Sequence, residues 1–397
     1  MTKRIVICFD GTAENASGSQ KSNIGLIESL LTNPDVATGD EEYFLYLPGV
    51  GTWGMYEGGR ITRAIKVLLG LMFGYGLKLN IRKAYAYLSQ QYQPGDEIYL
   101  FGFSRGAYTA RALIGMIHKC GVLRKDEQNR QKQAFKIFRR NRNDKEAESF
   151  KQQFCTTAPI KYAGLFDTVS SCGWVWSPTT FAYTEGLPNT QHIRHAMSID
   201  ERRAFYRANR IRRKDMYDVQ QVWFAGVHGD IGGHYKARNN NPLTRVALAW
   251  ILSEAERNGM DIDVSRAQKI LQKCNPLAKR HFSLKGLWWL AEFFPKLISV
   301  PPGKWSLFAR DKHGWGKRIR LNLGRRRPIG PDECVHESVV LRLAQSPNYR
   351  PSNLVNSDGQ LPESMTIAKM TPFELSLHKE DRSAGSSITV ANSASTA

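Results

Sequence analysis

Residues Glu97–Tyr108 read EIYLFGFSRGAY. An apolar run of strand length enters Gly102-Phe103-Ser104-Arg105-Gly106, and a helical pattern follows over Ala107–His118. G-x-S-x-G alone is common. Between a strand and a helix it predicts a nucleophile elbow, a sharp turn that lifts the serine hydroxyl above a sheet. The small residues two positions either side let strand and helix pass closely. The N–H of Arg105 would then lie at the helix start, where the dipole favours a developing oxyanion.

Working outward, short apolar runs bounded by Gly, Pro or Asp recur at Arg4–Phe9, Tyr43–Leu47, Ile160–Phe166 and Val219–Val227. Helical patterns at Asn80–Gln91 and Thr244–Ala255 alternate with them. This alternation predicts an α/β fold, a mostly parallel sheet with helices on both faces. The expected catalytic domain is 1–355, with 124–155 and 280–325 as insertions or lid segments. Residues 356–397 form an extension, small and polar enough from about His378 to be disordered. Ser198–Arg210 (SIDERRAFYRANR) reads as a helix starting at Asp200.

A serine nucleophile needs a base, and the base needs an orienting acid. Ile160–Val169 (IKYAGLFDTV) delivers Asp167 at a strand end, and Val219–Gly233 (VQQVWFAGVHGDIGG) delivers His228 after another. The order Ser104, Asp167, His228 is that of α/β-hydrolases. Asp230 remains a rival acid and His234 a rival base. The run HGDIGGH also offers His228, Asp230 and His234 to a metal-dependent hydrolase. Histidines in a glycine-rich loop match neither a helical H-E-x-x-H pattern nor a tetrahedral set.

The start, IVICFDGT, resembles the D-x-D-G-T signature of haloacid-dehalogenase-type phosphatases, but Cys8 stands where the nucleophilic aspartate belongs. Asp10, Gly11 and Thr12 are read instead as the end of the first strand beside the elbow. The N–H groups there would complete an oxyanion hole with Arg105.

The chain has 397 residues, with 56 Lys+Arg against 36 Asp+Glu for a net charge of +20. The excess is segmental: 124–151 carries +5, 201–214 carries +6 and 310–327 carries +7. It suggests an anionic partner, but no nucleic-acid module accompanies it and no specific nucleic acid is expected. The charge reads as decoration on a hydrolase, drawing it to anionic lipid. Leu284–Trp305 clusters Trp288, Trp289, Phe293, Phe294 and Trp305 with lysines, the composition of a lipid interface, a lid or a buried flank. The six cysteines form no C-x-x-C pair and read as scattered thiols. No signal peptide is read at the start, and no uncharged apolar run reaches the ~18 residues a bilayer span requires. The expected location is cytoplasmic as synthesised, with non-classical export as an effector.

CFDGTAEN, NIRKAYAYL, DEIYLFGFSRGAYTARALIGMI, GLFDTV, HAMSIDERRAF, VWFAGVHGDIGGHY and VHESVVLRL occur in that order. Over roughly residues 1–355 the chain resembles an α/β-hydrolase family of bacterial and fungal proteins that includes the catalytic domain of type VI secretion phospholipase effectors. The resemblance implies an α/β-hydrolase fold, a triad on Ser104, Asp167 and His228, and phospholipase activity. The expected function is therefore a serine hydrolase of carboxylic esters, foremost phospholipid or another lipid. No metal or organic cofactor is expected, and peripheral contact with an anionic membrane is. The alternative is a non-catalytic binding protein on a hydrolase fold.

Overall fold

Eight strands form one sheet: β1 (Arg4–Phe9), β2 (Glu42–Leu47), β3 (Glu97–Phe103), β4 (Ile160–Phe166), β5 (Thr190–Ser198), β6 (Asp218–Phe224), β7 (Cys334–His336) and β8 (Thr366–Ala368). The structure is a computed structural model describing residues 3–11, 21–31, 42–49, 75–140, 144–169, 173–174, 177–178, 181–212, 218–233, 242–272, 274–286, 288–293, 296–300, 307 and 316–377. The strand order is β8-β7-β6-β5-β4-β3-β1-β2, and every ladder is parallel. From β1 the chain steps out to β2, returns to β3 on the other side of β1, and then runs outward to β8. Open α/β sheets bind ligands beyond the carboxyl ends of the strands where the order reverses in this way.

The helices on the faces explain the apolar character of the strands. Successive side chains point to opposite faces. Ile5, Ile7 and Phe9 enter one core with α2 (Tyr75–Gln91) and α3 (Arg105–Cys120). Val6 and Cys8 enter the other with α1 (Asn23–Leu31) and α7 (Thr244–Arg257). Strands covered on both faces read as unbroken hydrophobic runs. Each fully buried Ile or Phe contributes about 1.5–3 kcal/mol.

Three expectations change. The helices described within 124–155 are not simply solvated. Ala134, Ile137 and Phe138 of α4 (Gln131–Arg139), with Ala147 and Phe150 of α5 (Asp144–Phe154), pack into the first core. Residues 199–212 form no helix. Asp200 and Glu201 accept tertiary hydrogen bonds from the Gly226 and His228 N–H groups, so the segment crosses the carboxyl edge of the sheet as an irregular chain with a turn at 204–205. The sheet also takes its outer strand from beyond residue 355. There β8 pairs with β7, and α11 (Pro372–Ser376) docks on α7 through a Ser253–Thr371 hydroxyl bond of 2.7 Å. Residues 378–397 lie outside the described residues.

Candidate active site

Ser104 joins β3 to α3 with φ 58° and ψ −119°. A non-glycine residue at positive φ is strained, and such strain concentrates at functional turns. The flanking glycines make the turn fit. A Cβ on Gly102 would lie 2.6 Å from the Ala107 Cα, and one on Gly106 only 2.1 Å from the Phe9 carbonyl oxygen. The main chain holds the turn to its neighbour: the Ser104 N–H donates to the Phe166 carbonyl at 2.9 Å.

The structure brings Ser104, His228 and Asp167 into one hydrogen-bonded chain. The Ser104 hydroxyl faces His228 Nε2 at 2.9 Å, and His228 Nδ1–H donates to Asp167 Oδ2 at 2.5 Å. The carboxylate can only accept. This puts the proton on Nδ1 and leaves Nε2 to accept from the serine. The three residues follow β3, β4 and β6, all at carboxyl ends. His228 opens the short helix α6 (His228–Gly232). Its ring lies between Phe103, centroids 4.8 Å apart, and Tyr206, edge-on at 4.7 Å. Burial pushes the imidazole below its ordinary value, and Asp167 opposes that shift.

Asp167 is fully buried, also at positive φ, and heavily partnered. It accepts from the Ser198 N–H at 2.9 Å and the Ser198 hydroxyl at 3.2 Å. Arg327 grips it in bidentate fashion, Nη1 on Oδ1 at 2.5 Å and Nη2 on Oδ2 at 3.0 Å. Burial alone would raise this carboxyl; Arg327 and His228 hold it well below the usual carboxylate range. The Thr168 N–H donates to His195 Nε2 at 3.1 Å, so His195 carries its proton on Nδ1, facing Gln221. Burial, with Arg111 nearby, pushes His195 down to about 3 and keeps it neutral.

The remaining candidates are arranged differently. The Asp230 carboxylate accepts from His281 Nδ1 at 2.7 Å and from the Val227 N–H at 3.0 Å; it caps α6, and the acid on His228 is Asp167. Both ring nitrogens of His228 are engaged by Ser104 and Asp167, and among the described residues no His/Cys/Asp/Glu trio has a metal-binding arrangement. His234 and Thr12 lie outside the described residues. The Asp10 carboxylate accepts from the Gly11 N–H at 2.6 Å, the Ser22 hydroxyl at 2.7 Å and the Tyr46 hydroxyl at 2.5 Å. Burial pushes Asp10 up to about 6 against those donors. The Gly11 N–H is thus turned to its neighbour's carboxylate. The absent side chain of Gly11 matters as well, because a Cβ there would meet the Phe103 ring at 2.6 Å. Arg105 is buried in the first turn of α3.

Sequence reasoning missed a layer of support. Glu201 accepts from the His228 N–H at 3.1 Å and pairs with Arg203 at 3.0 Å. Burial would raise Glu201, but Arg203 leads the charges that bring it down to about 2. Asp200 accepts from the Gly226 N–H at 2.9 Å and pairs with Arg326 and Arg280. Glu292, in α9 (Trp288–Glu292), accepts from the Ala204 and Gly324 N–H groups at 2.7 and 2.9 Å. The signal was present in SIDERRAF and in the RRR run at 325–327, but pairing across more than a hundred residues has no local signature.

A family described as T6SS phospholipase effector Tle1-like, catalytic domain, matches residues 3–254. The chain belongs to this family. An uncharacterized protein of Saccharomyces cerevisiae, YEL023C, is 36% identical over 222 residues, covering 52% of this chain and 32% of that protein. The chain thus matches about a third of that relative's length. Among solved structures, an uncharacterized protein from Pseudomonas aeruginosa is 19% identical with TM-score 0.40, covering 69% of this chain and 49% of that one. The Tle1 effector bound to the VgrG spike is 21% identical with TM-score 0.35, covering 59% and 51%. The putative cell surface hydrolase from Lactobacillus plantarum is 12% identical with TM-score 0.30, covering 68% and 98%. Membership of the Tle1-like family makes the chain a hydrolase-type domain. Ser104, Asp167 and His228 lie inside the Tle1-like match; His281, Glu292, Arg326 and Arg327 lie beyond it.

Proposed function

We propose that the chain is a serine hydrolase of carboxylic esters, with phospholipid as the substrate class. The observation that carries the reading is the Ser104–His228–Asp167 chain at 2.9 and 2.5 Å. In this reading the Ser104 oxygen attacks the ester carbonyl as His228 Nε2 takes its proton. The Arg105 N–H, at the helix start, donates to the oxyanion of the tetrahedral intermediate. His228 then returns the proton to the leaving alcohol, and the acyl group stays on Ser104. Water, deprotonated by the same nitrogen, releases the acid. Asp167 keeps the imidazole in the required tautomer and balances its charge in each step.

Membership of a family described by its phospholipase effectors supports the lipid part. The surface beside the site supports it further. Phe282, Trp289, Leu290, Phe293, Leu321 and Leu323 are exposed. Glu292 ties α9 to the turn at 322–324, and Trp288 stands edge-on to Tyr206, the ring that covers His228. Residues 279–327 carry thirteen basic and two acidic residues, and one of those acids, Glu292, is buried. An exposed apolar face within so basic a stretch suits an anionic phospholipid surface.

A fluorophosphonate probe tests the serine. Labelling of the wild type and none of Ser104→Ala is the expected result. A folded wild type that resists the probe and releases no fatty acid from phospholipid vesicles sinks the reading and favours a non-catalytic binding protein. Labelling with turnover of short soluble esters alone sinks only the phospholipid part.

A further inference from the structure

Arg327 is the residue least explained by the proposed chemistry. It is 5% exposed and comes from a basic stretch far along the chain. It shares Asp167 Oδ2 with the base and bonds Oδ1 as well. We propose that Arg327 is a positioning residue: its guanidinium grips both oxygens of Asp167 and cancels most of the charge His228 would otherwise meet, which sets the acid end of the pH range in which the site works. The inference rests on the serine-hydrolase reading above.

The geometry of Arg327 carries the argument. Two parallel N–H···O bonds, at 2.5 and 3.0 Å, fix the carboxylate plane. Such forks add directional control to their energy. The guanidinium is itself held, by the Ser198 hydroxyl at 2.7 Å and by the Tyr206 carbonyl, to which Nε donates at 2.9 Å. The Tyr206 ring covers His228, so one residue links base and clamp.

Asp167 bears one negative charge in a fully buried site. A lone buried carboxylate strongly stabilises a protonated imidazole beside it. With Arg327 on both its oxygens, Asp167 presents His228 with a neutral couple. The other charged and titratable groups near the pair do not undo this. On the segment crossing the site, Glu201 is paired with Arg203, and Arg207 and Arg210 add positive charge near Arg327. On β5, His195 is neutral. Burial already lowers His228, so the unprotonated form that accepts the Ser104 proton persists into mildly acidic solution.

The test reads the His228 ring by NMR in folded Ser104→Ala protein, which needs no turnover. Removing the cation in Arg327→Gln is expected to raise the His228 midpoint by about one pH unit, a tenfold gain in proton affinity. Arg327→Lys keeps the charge and loses the fork. It should leave the midpoint near that of the Arg327 protein, while kcat on a soluble ester, measured with Ser104 present, falls about tenfold. A merely structural arginine would lower thermal stability in both variants and leave the midpoint alone. An unmoved or lowered midpoint in Arg327→Gln overturns the proposal, and so does an equal shift in Arg327→Lys. If Arg327→Gln does not fold, Arg327→Lys decides: a midpoint near that of the Arg327 protein with kcat about tenfold down supports the proposal, and a raised midpoint overturns it. A shifted midpoint in a protein whose Ser104 form resists the probe sinks the hydrolase reading. A labelled protein with an unmoved midpoint sinks the role of Arg327.

Discussion

At the scale of single residues, buried carboxylates dominate the site, and each one is heavily bonded. Glu201 accepts from the N–H groups of Arg202, Arg203 and His228, from the Arg203 guanidinium and from the Ser283 hydroxyl. Its folded pKa of about 2 lies below the ordinary 4.5. A depressed carboxyl contributes stability above its unfolded pKa and loses it as pH falls through the folded one. The contribution of Glu201 is therefore complete above about 4.5 and disappears towards about 2. Glu201→Gln is expected to destabilise the protein near neutral pH by about 2–4 kcal/mol and to flatten the stability curve across that window. Urea unfolding at stepped pH measures both. A variant with unchanged slope between pH 4.5 and 2 would falsify the assignment. The pairing of Glu201 with Arg203 is local, but its bond to a histidine N–H 27 residues away has no local signature.

At the scale of elements, the turn that carries Ser104 shows why part of the fold could be read and part could not. EIYLFGFSRGAY declares itself because strand, turn and helix are consecutive and each obeys its own period. The strand β5 (TQHIRHAMS) hid because Gln191, His192, Arg194 and His195 interrupt its apolar run. Inside the fold Arg194 pairs with Glu254 at 2.5 Å and His195 bonds Gln221, so these polar residues are tolerated. The strands β7 and β8 have three residues each, too few for any periodicity. The elbow itself makes a sharp demand. A Cβ at position 106 would sit 2.1 Å from the Phe9 oxygen and 2.5 Å from that of Asp10, both main chain and unable to move aside. Gly106→Ala is expected to cost about 3 kcal/mol or more and to separate α3 from β1. A thermal midpoint within a degree of the wild type would show that the strand and helix are not as close as 2.1 Å implies.

At the scale of the whole molecule, the charge acquires a different meaning. From sequence alone the net charge reads as decoration on a hydrolase, with the arginines of 198–210 split between ion pairs to the core and a solvated face. Four arginines of the basic stretches at 201–214 and 310–327 are spent inside: Arg203 on Glu201, Arg210 on Glu333, Arg326 on Asp200 and Arg327 on Asp167. The exposed apolar side chains around α9 lie in a stretch, 279–327, that carries thirteen basic residues. Ser104→Ala protein is expected to sediment with phosphatidylglycerol vesicles, to release from them as salt rises, and to bind phosphatidylcholine vesicles at least tenfold more weakly. Leu290→Asp with Phe293→Asp, at side chains each 61% exposed, should abolish sedimentation without changing the thermal midpoint. Retention of binding by that double variant removes the face from the account.

The clamp on Asp167 also has a position in time. A polypeptide is made from its amino end. Ser104, Asp167 and His228 are all polymerised before residue 229, while the cations on Asp167 and Asp200 are Arg280, Arg326 and Arg327. A growing chain holds its three reacting side chains for 52 residues before Arg280 exists and for 99 before Arg327, and a buried carboxylate without its partner disfavours the closed fold. The site therefore assembles late, when the strap containing Arg327 returns to the sheet. In the proposed reading, a nascent chain would stay inert until that strap has been added.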